Sequence, residues 1–198
     1  MPIPKHKLTL LQISSFGESP NSVSWQPSGE LWASVEQQDK TNLFSKVGVG
    51  VKSALITMVP RGDITLHDAL IWNGKHLFLT GINIKSPAAM EITAALIEPT
   101  MCSATRGKDT KNALNNPVRV QEALCSFPAC VTEKYMGFSV QQPQSQVEET
   151  LVLVCPKTVV LKTGDLVTVG TRGVYAVTVP HTLDDYKNEY EVVATKEA

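Results

Sequence analysis

The two halves of this 198-residue chain can be laid on each other, and no other feature restricts its possible folds as much. Ala33-Ser34-Val35-Glu36 falls on Ala129-Cys130-Val131-Thr132, and Leu55-Ile56-Thr57-Met58-Val59-Pro60 falls on Leu151-Val152-Leu153-Val154-Cys155-Pro156, both offset by 96 positions without a gap. With one extra residue, Asp68-Ala69-Leu70 meets Asp165-Leu166-Val167, and Leu77-Phe78-Leu79 meets Val174-Tyr175-Ala176. Met90-Glu91-Ile92-Thr93-Ala94 meets Tyr190-Glu191-Val192-Val193-Ala194 after a longer loop. A proline closes the central strand of each copy and an aspartate opens each hairpin, so we read a tandem duplication of one small domain. The segment Ser14 to Gly29 has no counterpart, because only Asn116 to Gln121 precedes Ala129 where an opening strand would lie.

The repeated unit reads as β-structure. Lys7–Gln12, Leu31–Glu36, Ala54–Val59, Ala69–Trp72 and His76–Ile82 are short runs rich in β-branched and aromatic residues, bounded by Pro, Gly, Asn or Asp. Trp72-Asn73-Gly74-Lys75 is the strongest local signal, since Asn-Gly between apolar runs supplies the positive φ values of a tight hairpin turn. It predicts a hairpin from Leu70 to Ile82. Alternation of Met90, Ile92 and Ala94 with polar or small residues predicts a further strand over 88–97. The fold class is therefore all-β: two small antiparallel β-barrel or sandwich domains in tandem, at 1–100 and 116–198, joined by a flexible linker at 101–115. That linker reading rests on Thr100 to Asn112, which is polar and carries Arg106, Lys108 and Lys111 against Asp109. Its basic residues are candidate contacts to DNA or an acidic surface, although composition favours plain solvation.

Composition narrows the function classes. The hydrophobic share of 42% supports a packed core, and no apolar run approaches the ~18 residues of a membrane helix. A net charge of −1 argues against a strongly basic free nucleic-acid binder. The N-terminus carries no signal-peptide pattern, which predicts a protein made in a cytoplasm. Cys102, Cys125, Cys130 and Cys155 form no C-x-x-C pair and have no histidine close by, so they read as free thiols with no metal.

Chemistry-bearing motifs do not assemble. Val47-Gly48-Val49-Gly50-Val51-Lys52-Ser53 imitates a phosphate-cradling loop but lacks its spacing, and a strand follows it where a helix is required. His6, His67, His76 and His181 are scattered; His67 and His76 flank one hairpin and with Asp63 or Asp68 imitate a metal site, but exposed turn residues are the better reading. His181 with Asp184 and Asp185 offers an acid and a base in a loop. Neither a catalytic residue nor a cofactor site is assigned. Trp25, Trp32 and Trp72 lack interleaved Arg and Lys, so packing is preferred to base stacking.

The order of features over residues 5–99 resembles the head–tail joining family of tailed bacteriophages, the adaptor, stopper and head-closure proteins of the virion neck. The resemblance is carried by Lys5-His6-Lys7-Leu8-Thr9-Leu10-Leu11-Gln12, by Trp25 ahead of Leu31-Trp32-Ala33-Ser34-Val35-Glu36, by the polar stretch Gln37 to Ser53, by Leu55 to Val59, by Asp68 to Ile82 and by Met90 to Glu98. Two departures stand out: the family is usually one domain of about half this length, and Thr57 and Lys5 stand where it usually has arginines. The resemblance implies a structural virion protein that forms a sixfold or twelvefold ring, docks to portal or adaptor protein, helps retain packaged dsDNA and offers a surface to tail terminator or tail tube protein, with no membrane involved. Gln37 to Lys52 would be the loop that reaches into the channel or along a neighbouring subunit, with Lys40, Lys46, Gly48, Gly50 and Lys52 as its candidate contact residues. A loop of that length without structure of its own is usually functional. Two other readings remain open at this point: a tail-side β-module such as a tail terminator or baseplate component, and a small-ligand-binding β-sandwich with the tryptophans lining a pocket.

Overall fold

A computed structural model describes residues 4–13, 22–42, 51–134, 150–183 and 185–195, with the side chains of 39–42 left aside. The chain is all-β, with no helix among the described residues, and divides into two compact units. Unit 1 comprises Met1–Ser14 and Ser24–Pro99; unit 2 comprises Ser15–Val23 and Thr100–Ala198.

Unit 1 holds β1 (His6–Ile13), β2 (Trp25–Asn42), β3 (Val51–Met58), β4 (Ala69–Trp72), β5 (Lys75–Ser86) and β6 (Ala89–Ile97). They hydrogen-bond in the order β1-β2-β3-β6-β5-β4, and β4 returns to β1 through Thr9–Ile71, Leu10–Leu70 and Leu11–Ala69, which closes an antiparallel barrel. Alternation turns Leu8, Leu10, Leu31, Ala33, Ala54, Ile56, Leu77 and Ile92 into one buried cluster. Eight strands leave room only for side chains, so a barrel of six has a core in place of a lumen. The β3–β4 crossover caps one end, where Ile64 joins the core. Asn73 and Gly74 take φ of 49° and 76°, the two positive values of the predicted tight turn, with Trp72 opposite Lys75.

Unit 2 repeats this plan. It holds β7 (Thr100–Lys111), β8 (Pro117–Glu133), β9 (Thr150–Pro156), β10 (Leu166–Val169), β11 (Val174–Thr182) and β12 (Lys187–Ala194). The order is β7-β8-β9-β12-β11-β10, closed by four pairs from Cys102–Val169 to Thr105–Leu166. Strand for strand this is the first barrel again. Even the irregularities coincide: β1 shifts register at Leu10/Leu11 and β7 at Ala104/Thr105, while β5 shifts at Leu79/Gly81 and β11 at Val177/Val179. In each crossover an aspartate, Asp68 or Asp165, accepts from the backbone N–H three residues earlier (Thr65 or Lys162) at 2.7 Å.

Three expectations need correction. The stretch 101–115 is not a linker: Thr100–Lys111 is β7, the counterpart of β1, and the turn at Asn112–Asn116 leads into β8. Polar composition hid it because only Cys102 and Ala104 face the core. Nor is Gln37–Lys52 all loop, since β2 runs to Asn42 and β3 starts at Val51. Finally, the repeat slips in β9 and β12. Cys130 pairs with Val154 where Ser34 pairs with Thr57, so Thr57 corresponds to Val154, one residue beyond the sequence alignment, and Ile92 rather than Met90 corresponds to Tyr190. Leu151 to Cys155 are all apolar and all buried, so sequence pattern gave no signal to distinguish the two faces of that strand.

Because β7 pairs on both sides only from Cys102 to Thr105, amide exchange should be slow there and faster from Gly107 to Lys111. Hydrogen exchange read by NMR or mass spectrometry would show uniform fast exchange over 101–111 if the segment were a linker.

Candidate functional site

Beyond Thr105, β7 leaves its neighbour β10 but keeps its partner β8. β8 meets β9 only from Cys130 to Glu133. Between these limits the β7–β8 hairpin projects as an arm, paired from Arg106–Glu122 to Lys111–Pro117. At ~3.4 Å per residue, Gly107–Lys111 extends about 17 Å. Among the described residues neither edge of the arm has a strand partner, and every residue from Lys111 to Ala123 is exposed.

The arm is stiff at its end. Asn112 Oδ1 accepts from the backbone N–H groups of Leu114 and Asn116, both at 2.9 Å. Asn112 N–H donates to Asn116 O at 3.0 Å and Asn115 N–H donates to Asn112 O at 2.8 Å, with Asn115 in the left-handed region at φ 61°. This turn holds Leu114 outward, 80% exposed. Behind it, Val118 and Val120 stand on one face opposite Thr110 and Lys108. On the other face the side chain of Arg119 lies over Gly107, where a Cβ would collide with it.

The sequence-derived candidates divide. Arg106, expected to reach DNA or a partner, is turned inward: its Nε and Nη2 each donate to Asp165 at 2.7 Å, a bidentate pair in which Asp165 is 2% exposed. It fastens the arm's root to the crossover. Lys108 pairs with exposed Glu122 at 3.2 Å, and Lys111 is exposed at the end of β7 on the opposite face. Lys40 lies in β2 and Lys52 is exposed in β3, whereas Lys46, Gly48 and Gly50 fall outside the described residues. Leu114, Val118 and Val120 escaped the sequence reading, although the alternation Val118-Arg119-Val120 was a visible signal for a strand with one apolar face.

Other chemistry-bearing side chains serve local structure. The three tryptophans do not converge: Trp25 stacks edge-on against Phe78 at 5.2 Å and donates to His67 O, Trp72 stacks edge-on against His6 at 5.5 Å, and Trp32 is 60% exposed opposite Lys7. Asp63 pairs with Arg61, and Asp68 binds Thr65. No group of three His, Cys, Asp or Glu among the described residues is placed to hold a metal. Burial pushes the Cys102 and Cys130 thiols up to about 12, and it raises Cys155 and Cys125 as well, so these thiols are not activated nucleophiles. His181 lies 2.8 Å from Glu191, whose other oxygen is 2.6 Å from Lys134 Nζ. Burial alone would raise the Glu191 carboxyl, but the hydrogen bonds from Lys134 and His181 outweigh it and hold it below the usual range. Of the two acids suggested near His181, Asp185 is exposed and Asp184 lies outside the described residues.

No family model, curated protein or solved structure matches this chain.

Removing Arg106 leaves the buried Asp165 carboxylate without its cation, so Arg106→Ala should lower the unfolding free energy by about 2–3 kcal/mol in urea denaturation. Lys108→Ala, at an exposed pair, should cost under about 1 kcal/mol. Equal small effects would make Arg106 an ordinary surface charge.

Proposed function

We propose that this chain is a structural component of a tailed-phage virion neck, a head–tail connector of the stopper or head-closure kind. In this reading it assembles with copies of itself as a ring, docks to portal or adaptor protein, helps retain packaged dsDNA and presents a surface to tail terminator or tail tube protein.

The observation that carries this reading is the β7–β8 arm. A hairpin whose edges over 107–122 have no strand partner among the described residues, with exposed Val118 and Val120 beside Lys108 and Thr110 and Leu114 at its tip, is an assembly element or an aggregation hazard. Main-chain pairing to a neighbouring copy would satisfy both edges and supply affinity without a deep pocket. We assign a contact role to residues 107–122 beside the one that the resemblance implies for Gln37–Lys52, most of which lies outside the described residues.

Two further features support the reading. Both barrels are filled by their own buried side chains, as expected of wall elements. A net charge of −1 suits a wall past which DNA must slide, since strong phosphate neutralisation would hold the duplex. The duplication adds a geometric consequence: six chains carry twelve related barrels, so one ring could face both a twelvefold portal and a sixfold tail.

Electron microscopy of lysates from an infection with this gene disrupted tests the reading. The expected result is DNA-leaking heads beside finished, unattached tails. Full heads with overlong or missing tails would move the protein to the tail side, and normal particles would refute a virion role.

A further inference from the structure

The two ends of the first barrel differ. The β3–β4 crossover plugs one, with Ile64 in the core. At the other end the inward alternation that buries Val35, Ala54, Leu77 and Ala94 continues into Gln37, Lys52, Lys75, Leu96 and Glu98. There the barrel opens in a cleft of about 360 Å³, at the small end of the range of ligand sites. Its apolar wall is Val51, Leu96 and Ile97.

The polar groups of this mouth are not paired with one another. Among the described residues, Lys52, Lys75 and Glu98 take part in no ion pair or side-chain hydrogen bond, although all three line one cleft. A second group at the same end is also unsatisfied. Trp72 lies opposite Lys75, packs against the core and against His6, and its indole N–H is buried without a hydrogen-bond partner among the described residues. Trp72 does not itself line the cleft, so its indole N–H, beside Lys75 in register, serves as a reporter of this end of the barrel.

We propose that the mouth of the first barrel is a binding site for a carboxylate carried on an apolar body. Two ammonium groups outnumber one carboxylate, which selects an anion; Glu98 disfavours a second negative charge, which selects a carboxylate over a phosphate. Lysines act here as point charges, whereas phosphate recognition favours an arginine fork or a nest of backbone N–H groups. Val51, Leu96 and Ile97 take the apolar body, and Gln37 is placed to bond an amide beside it. Free carboxylic acids and the C-terminus of a partner polypeptide share this chemistry. The site belongs to the first unit and does not depend on the neck reading.

The test is an NMR titration of the full chain that follows the Trp72 indole N–H, assigned with Trp72→Phe. The probes are hexanoate, N-acetyl-Leu-Leu with a free carboxylate, and the same peptide as its C-terminal amide. A saturable shift with either carboxylate, and at least tenfold weaker binding of the amide, is the expected result. Lys52→Met and Lys75→Met, both at exposed positions, should each weaken binding about tenfold, in line with a charge-assisted hydrogen bond. Tighter binding of the peptide identifies a chain terminus as the source, and tighter binding of hexanoate a free acid. No saturable shift, equal binding of the amide, or undiminished binding by the Lys52→Met/Lys75→Met double variant overturns the proposal.

Discussion

Closure is the constraint on which this structure depends. A six-stranded antiparallel sheet left open would expose two unpaired edges and one apolar face, and here three residue pairs between β1 and β4, or four between β7 and β10, remove both problems at once. Closing the sheet turns every second residue into a core too narrow to hold anything else. It also forces β3 to reach β4 over the end of the barrel, so the crossover must be shaped. Asp68 and Asp165 do that shaping in the two copies by each accepting one backbone N–H, and Ile64 and Leu161 are buried in the same crossovers. In the second barrel the β7–β8 arm departs from closure, because its strands stay paired with each other beyond the last β7–β10 and β8–β9 pairs.

How much of this was legible depended on whether burial was one-sided. The hairpin around Asn73-Gly74 could be read because two adjacent positive φ values admit few residue pairs. β6 could be read because Met90, Ile92 and Ala94 are inward and their neighbours are not all apolar. β9 was recognised as a strand but misaligned by one residue, because Leu151 to Cys155 are buried on both faces and a slip leaves the pattern intact. β7 was missed for the opposite reason: beyond Ala104 neither face is buried, so nothing in Arg106-Gly107-Lys108-Asp109-Thr110-Lys111 marks it as a strand except the partner it pairs with.

The candidate sites follow the same logic. Arg106 looked like a solvated cation among others, and only the fold brings it to Asp165, 59 positions away, where it anchors the arm. The apolar groups that make the arm adhesive, Leu114, Val118 and Val120, sit in a segment whose average composition is polar. Of the charged groups at the mouth of the first barrel, only Lys52 stood out in the sequence, and as part of a different site. Lys52 and Lys75 come from β3 and β5 and Glu98 directly follows β6, and they line one cleft only because closure brings those strand ends together.

The central claim is that the arm joins copies of this chain, and native mass spectrometry tests it most directly. The wild-type protein should form a sixfold or twelvefold species, and a Val118→Lys/Val120→Lys variant should be monomeric while keeping the wild-type β-sheet circular dichroism, since both residues are exposed. A wild-type monomer at every concentration, or a variant that assembles like the wild type, would contradict the account.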